Sequence, residues 1–93
     1  MNLNLIDINL SNVLTTGVIK AIEQTAETKD MTDDDLNTLV LTVYEAQANK
    51  VVADPNVVGR LSVYRMNRTE LNERLDAVKE QVRQRVVSYL RNK

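Results

Sequence analysis

The chain of 93 residues contains no cysteine, no histidine, no phenylalanine and no tryptophan, and it has only two glycines and one proline. Without cysteine there is no disulfide scaffold, no zinc–thiolate site and no thiol catalysis. Without histidine the most frequent general base and metal ligand are missing. Two glycines are too few for a phosphate-binding glycine loop. We therefore expect a protein that is not an enzyme and that binds no cofactor and no metal.

Aliphatic residues must build the core, because hydrophobic residues make up 43% of the chain and three tyrosines are its only aromatic residues. No segment approaches the roughly 18 uninterrupted apolar residues that a membrane-spanning helix needs. The first residues are too polar for the apolar part of a secretory signal, and Asp7 follows closely. We expect a single small domain over residues 1–93, located in the cytoplasm and not in a membrane.

Charge is divided unevenly along the chain, although the net charge is only −1. Residues 1–59 carry nine acids against three lysines, whereas residues 60–93 carry nine bases against four acids. Every arginine lies in the second segment: Arg60, Arg65, Arg68, Arg74, Arg83, Arg85 and Arg91. Such a division favours two halves that pair with each other, within a chain or between copies. It is also compatible with a basic surface that contacts the phosphates of a nucleic acid.

The clearest helix start is at Thr32, whose hydroxyl is suited to accept a hydrogen bond from a free amide of the first turn. Three consecutive aspartates follow, and they place negative charge beside the positive end of the helix dipole. The apolar residues after them recur on one face at helical spacing: Leu36, Leu39, Val40 and Val43. This pattern predicts a helix over residues 33–51.

A second helix start is predicted at Asp54 and Pro55, a strong N-cap followed by a residue suited to the first helical position. From there apolar residues recur at steps of four and three, a heptad pattern typical of helical bundles and coiled coils. Thr69 is an alternative cap at which the helix would break. Because neither proline nor glycine interrupts residues 60–93, we predict one continuous helix over residues 55–91, about 55 Å long.

The first residues alternate between apolar and polar and predict an arm over residues 1–10, either extended or a short helix. Apolar residues at helical spacing then predict a helix over residues 12–28, with Ser11 as a candidate cap and Gly17 as a weak point. The expected fold class is all-α: a three-helix arrangement with a short N-terminal arm and a long C-terminal helix, in an oligomeric helical bundle.

The long helix cannot be covered along its whole length by a middle helix of about 28 Å. Its apolar seam must therefore pack against the first helix, a second copy or another protein. We expect a protein–protein interaction module, a small oligomeric adaptor, regulator or assembly subunit that binds itself and another protein. The expected interface residues are Leu61, Tyr64, Leu71, Leu75, Val78, Val82, Val86 and Tyr89.

The seven arginines would then select the partner or, in an alternative function, contact a nucleic acid as a helical regulator. Two of them, Arg68 and Arg85, fall on the apolar seam, where they either fix the register of an assembly or reach solvent at its edge. The interleaved acids argue against nucleic-acid binding. Their spacing predicts local ion pairs along the helix: Glu70 or Glu73 with Arg74, Asp76 with Lys79, and Glu80 with Arg83.

A resemblance adds a further alternative. Residues 45–49 (EAQAN), residues 54–58 (DPNVV) and the long charged helix after them resemble the helical hairpin of type III secretion needle and inner-rod subunits. The resemblance covers residues 40–91. Those families join two helices through a proline-containing turn and polymerise through apolar faces. It therefore implies a polymerising structural subunit.

Overall fold

The computed structural model describes residues 5–56 and 67–92. Within these residues the chain forms three long α-helices, α1 (Leu5–Thr25), α2 (Asp33–Ala53) and α3 (Arg68–Arg91), and no strand. The start of α1 contacts the start of α3 through Asp7 and Arg74, whereas the start of α2 contacts the end of α3 through Asp33 and Arg91. The helices α1 and α3 are therefore parallel, and α2 is antiparallel to both. The all-α three-helix prediction is confirmed.

The predicted N-terminal boundary of α1 is wrong. Residues 5–10 are helical and continue into the rest of α1, so they do not form a separate arm before a helix at residue 12. The reason is that α1 turns two polar side chains inward: Asp7 is 5% exposed and Ser11 is 2% exposed. A search for apolar periodicity does not register such residues as core positions. The helix also ends at Thr25, earlier than the predicted residue 28, and the Thr25 hydroxyl donates to the Ala21 carbonyl at 2.8 Å.

The prediction for α2 is confirmed at its start. Thr32 is the N-cap, and its Oγ1 accepts a hydrogen bond from the Asp35 amide at 3.1 Å. The helix extends to Ala53, two residues beyond the predicted end. This helix is predictable because its start depends on groups within one turn of each other in the sequence.

The predicted continuous helix over residues 55–91 is wrong at Asn67. This residue is the N-cap of α3, with extended backbone angles (φ −98°, ψ 176°), and its side chain accepts a hydrogen bond from the Glu70 amide at 2.9 Å. The interruption therefore comes two residues before the alternative cap at Thr69. Pro55 and Asn56 are helical, while residues 57–66 lie outside the described residues.

The shorter α3 changes how the apolar seam is covered. With 24 residues, α3 is about 36 Å long, and α2 with 21 residues is about 31 Å long. Both α1 and α2 pack against α3. The buried hydrophobic residues of α3 lie in one core with those of α1 and α2: Leu71, Leu75, Val78, Val82, Val86 and Leu90. The sequence leaves open whether the seam packs against the first helix, a second copy or another protein. From Leu71 to Val86, helices of the same chain cover it.

None of the described helices combines the length, the hydropathy and the low charge that a bilayer-spanning segment requires. The polar residues of each helix instead alternate with a narrow buried stripe, as in helices that cover one shared core.

Candidate interaction surface

The cations of α3 that face α1 are engaged in contacts between the two helices. Arg74 Nη1 lies 3.3 Å from Asp7 Oδ2, whose side chain is almost completely buried. Arg85 Nη1 donates to Ser11 Oγ at 3.0 Å and to Asn12 Oδ1 at 2.9 Å. Arg85 is exposed at the edge of α3, so it reaches a polar strip of α1 and does not enter the core. These two arginines therefore hold α1 and α3 together.

The other described cations of α3 contact α2 or the connection before it. Lys79 Nζ lies 2.8 Å from Glu45 Oε1. The hydrogen bond to the Glu45 carboxylate raises the pKa of Lys79, and burial partly opposes this increase. The remaining contacts are Arg83 with Asn37 and Glu80, and Arg91 with Asp33 and the Met31 carbonyl. Of the predicted local ion pairs, only Glu80 with Arg83 is therefore confirmed. Arg74 and Lys79 instead pair with acids of neighbouring helices, so their predicted local pairs are wrong.

The acids of α3 point away from the bundle. Residues 70–80 present four exposed carboxylates to solvent: Glu70, Glu73, Asp76 and Glu80. Among the residues that the structure describes, the first three form no ion pair within 4 Å. Like charges three or four residues apart destabilise a helix by about 0.2–0.5 kcal/mol per pair. The helix with six bases and four acids therefore presents an acidic outer surface over its first half.

A groove of about 210 Å³ lies between the second half of α2 and the first half of α3. Its apolar residues are buried or half-buried: Tyr44, Ala48, Val52 and Leu75. Its polar residues are exposed: Glu45, Asn49, Asn72 and Asp76. The groove thus has an apolar floor and a polar rim, and one acid stands on each side of it.

Tyr44 connects the two walls of the groove. Its hydroxyl donates to the Leu75 carbonyl, and its side chain is almost fully buried in the floor. Burial raises the pKa of Tyr44 to about 12, and the negative charges of Glu45 and Asp76 add to the increase. The neutral hydroxyl is therefore the form that the folded protein favours.

The raised pKa of Tyr44 predicts a loss of stability at alkaline pH. Because the folded pKa of about 12 exceeds the usual value of 10.0, the contribution of the neutral hydroxyl is complete below pH 10 and is lost as the pH rises through 12. Tyr44→Phe should lower the free energy of unfolding by about 1 kcal/mol at pH 7 and weaken the decline above pH 10. Urea denaturation over this pH range measures both. The control is Tyr89→Phe, at a side chain that is 47% exposed, in which the free energy of unfolding should decline above pH 10 as it does in the natural protein. The prediction would be contradicted if Tyr44→Phe showed the same decline.

A second cleft lies at the end of the bundle where α1 ends. Its volume is about 450 Å³, and Ile22 and Leu90 form its apolar part beside charged side chains of both signs, including Glu27 and Lys29. Arg91 also lines it, but the guanidinium of Arg91 is already bonded to Asp33 and to the Met31 carbonyl. This cleft defines no particular ligand chemistry.

The structure places the residues predicted for an interface in different environments. Leu71, Leu75, Val78, Val82 and Val86 lie in the core of the chain itself. Tyr89 is 47% exposed at the end of α3. Leu61, Tyr64, Arg60 and Arg65 lie outside the described residues, as does the side chain of Arg68. A contact of these residues with a second protein stays a prediction.

The groove brings together residues that the sequence does not predict to form a site. Glu45 and Ala48 belong to α2 and Asp76 belongs to α3, and only the antiparallel packing of these two helices brings them together. The signal in the sequence is a spacing of four, from Tyr44 to Ala48 to Val52, but this spacing is typical of any core-facing helix. A sequence pattern alone therefore does not distinguish the groove from the core.

The described residues include no group of three or more His, Cys, Asp or Glu side chains that could hold a metal ion. The consecutive aspartates at the start of α2 are all exposed, and Asp35 contacts the Thr32 cap through its backbone amide and not through its carboxylate.

Comparisons with models of protein families, with curated proteins and with solved structures find no match to this chain.

Proposed function

We propose that this chain is a non-enzymatic protein–protein interaction module of the cytoplasm, an adaptor, regulator or assembly subunit, that binds a segment of a partner protein between α2 and α3. The groove is the observation that supports this proposal. Its apolar floor and polar rim have the layout of a protein interface, in which an apolar centre is surrounded by polar groups. Small-molecule pockets have volumes of about 300–1,000 Å³, so a groove of about 210 Å³ better suits the side chains of a docked segment.

The groove replaces the α3 seam as the surface of this proposal. Val78, Val82 and Val86 are at most 1% exposed and already pack against α1 and α2. A partner could reach them only after a helix of the bundle had moved away. Val52 is half-buried and lines the groove from α2, so a partner reaches it without such a change. An assembly of several copies remains part of the proposal, with the groove as the contact surface.

Nucleic-acid binding receives less support from the contacts of the arginines. A protein binds phosphates through cations that release counterions, and those cations must be free to approach the backbone. Arg74, Arg85 and Arg91 each donate to an acceptor elsewhere in the bundle. Nucleic-acid binding would therefore compete with contacts that hold the helices together. A salt-sensitive change in sedimentation on adding duplex DNA would support this alternative.

The proposed function predicts that short peptides bind in the groove. A displayed library of random peptides should yield sequences that bind the full chain, and binding should fall at least tenfold in Val52→Asp. The reason is that a carboxylate on the groove floor opposes the burial of apolar side chains. Binding is measured by fluorescence anisotropy with the selected peptides, and circular dichroism confirms that each variant is folded.

The matched control is Val13→Asp, the same substitution at a residue of α1 that is 62% exposed. It should leave peptide affinity within twofold of the natural protein. Two results would overturn the proposed function: a library that yields no binder, or binders whose affinity is the same for Val52→Asp as for the natural protein.

A further inference from the structure

The rim of the groove carries more negative than positive charge. Glu45 stands on the α2 side and Asp76 on the α3 side, and Glu73 lies nearly one turn before Asp76 on the exposed surface of α3. Both rim carboxylates act on the Tyr44 hydroxyl in the floor, where they help to raise its pKa. Negative potential therefore reaches the interior of the groove.

Cations within the bundle neutralise only part of this charge. Lys79 pairs with Glu45 at 2.8 Å, and it is the described cation next to the groove. Asp76 and Glu73 form no ion pair among the residues that the structure describes. Arg74 and Arg85 instead contact acceptors on α1. The rim therefore offers carboxylates to a cation from outside.

Repulsion within α3 gives a second reason to expect an external cation. Asp76 is three residues after Glu73 and four residues before Glu80, so all three carboxylates lie on neighbouring positions of one helix face. This arrangement destabilises the helix by a few tenths of a kcal/mol per pair. Arg83 offsets the charge of Glu80. A bound cation near Asp76 would offset the other two charges.

We infer that the partner of this groove is a basic segment of another protein, in which a lysine or arginine stands beside an aliphatic residue such as leucine or valine. The inference rests on the proposed function and names the partner's chemistry. The aliphatic side chain packs on Ala48 and Val52, and the cation pairs with Asp76 above them. Charge complementarity of this kind speeds association and excludes acidic segments.

Designed peptides test this inference directly. A peptide that alternates leucine and arginine should bind the full chain, and the same peptide with glutamate in place of arginine should not bind. The double variant Glu73→Gln/Asp76→Asn should weaken the basic peptide about fivefold, as expected for exposed ion pairs. The affinity should also fall as salt rises from low to physiological concentration.

The matched control is Asp34→Asn/Asp35→Asn, which removes the same number of charges at the other end of α2. It should change the affinity less than twofold, and it keeps the cap at Thr32, because that cap uses the Asp35 amide. If the basic peptide loses the same affinity in both double variants, general attraction explains its binding, and the inference is overturned.

The outcomes separate this inference from the proposed function. If acidic or uncharged peptides bind as tightly as the basic peptide and Val52→Asp abolishes their binding, the groove is a binding site but its partner is not basic. If no peptide binds in the groove, both proposals fail. If sedimentation shows copies of the chain that associate and Asp76→Asn separates them, a second copy occupies the groove, and a basic segment of another protein is excluded as its occupant.

Discussion

Val82→Asp is expected to unfold the protein and not to release a folded subunit. Val82 is 0% exposed and lies in the core of the bundle. A carboxylate at this position would be buried without a partner, which costs several kcal/mol. The total stability of a domain is about 5–15 kcal/mol, and a small domain is at the lower end of this range. Circular dichroism and urea denaturation should show loss of the cooperative transition.

Val13→Asp is the matched control for this prediction, since the same substitution falls on a residue that is 62% exposed. Its free energy of unfolding should stay within about 0.5 kcal/mol of the natural protein. The experiment also tests the sequence-based expectation of an intermolecular seam on α3. A Val82→Asp variant that stays folded while its mass in sedimentation decreases would show that Val82 contacts another chain, contrary to the structure.

Arg74→Ala should have the second-largest effect on stability, at about 2 kcal/mol. The Asp7 side chain is only 7% exposed, and Arg74 Nη1 lies 3.3 Å from its carboxylate. Removing Arg74 leaves a buried negative charge without this cation, which costs more than the loss of a surface ion pair. Asp7 keeps its favourable position in the first turn of α1, so the loss is smaller than for a fully isolated charge. Urea denaturation at neutral pH measures the change.

Lys79→Ala provides the comparison, because it also removes one cation from an ion pair between helices. Both partners of that pair are at least one-third exposed, with 36% for Lys79 and 58% for Glu45. The expected loss is therefore below about 1 kcal/mol. The double variant Asp7→Leu/Arg74→Met should recover most of the stability that Arg74→Ala loses, since an apolar pair needs no charge compensation. Equal losses for Arg74→Ala and Lys79→Ala would contradict the role given to burial.

The first turns of α1 meet α3 through polar side chains, which explains why the start of α1 was predicted wrongly. Asp7, Ser11 and Thr15 follow one another at steps of four, and all three are buried. Because these side chains are polar and recur at helical spacing, a pattern of hydrophobic residues assigns them to the exposed side of the helix. Arg74 reaches Asp7 and Arg85 reaches Ser11 from α3, and these contacts offset the cost of burying the two side chains.

The N-caps of α2 and α3 both depend on local contacts, but only the cap of α2 was predicted. The start of α2 was predictable because Thr32 caps an amide three residues away. At the start of α3, Asn67 and Thr69 both have side chains suited to capping. The absence of proline and glycine from residues 60–93 nevertheless predicted a continuous helix without a cap at either residue. The structure uses Asn67, whose side chain accepts from the Glu70 amide.

The sequence by itself determined the all-α class, the buried aliphatic residues of α3 from Leu71 to Val86 and the exclusion of cysteine and histidine chemistry. These follow from composition and from spacings within a few turns of one helix. The tertiary structure alone decided where the charges point. A helix that is basic by composition turns its cations toward α1 and α2 and its acids outward. The sequence does not reveal this orientation, because acceptors such as Asp7 and Glu45 lie far from α3 along the chain. For the same reason, the groove between Glu45 and Asp76 exists only after α2 and α3 have packed together.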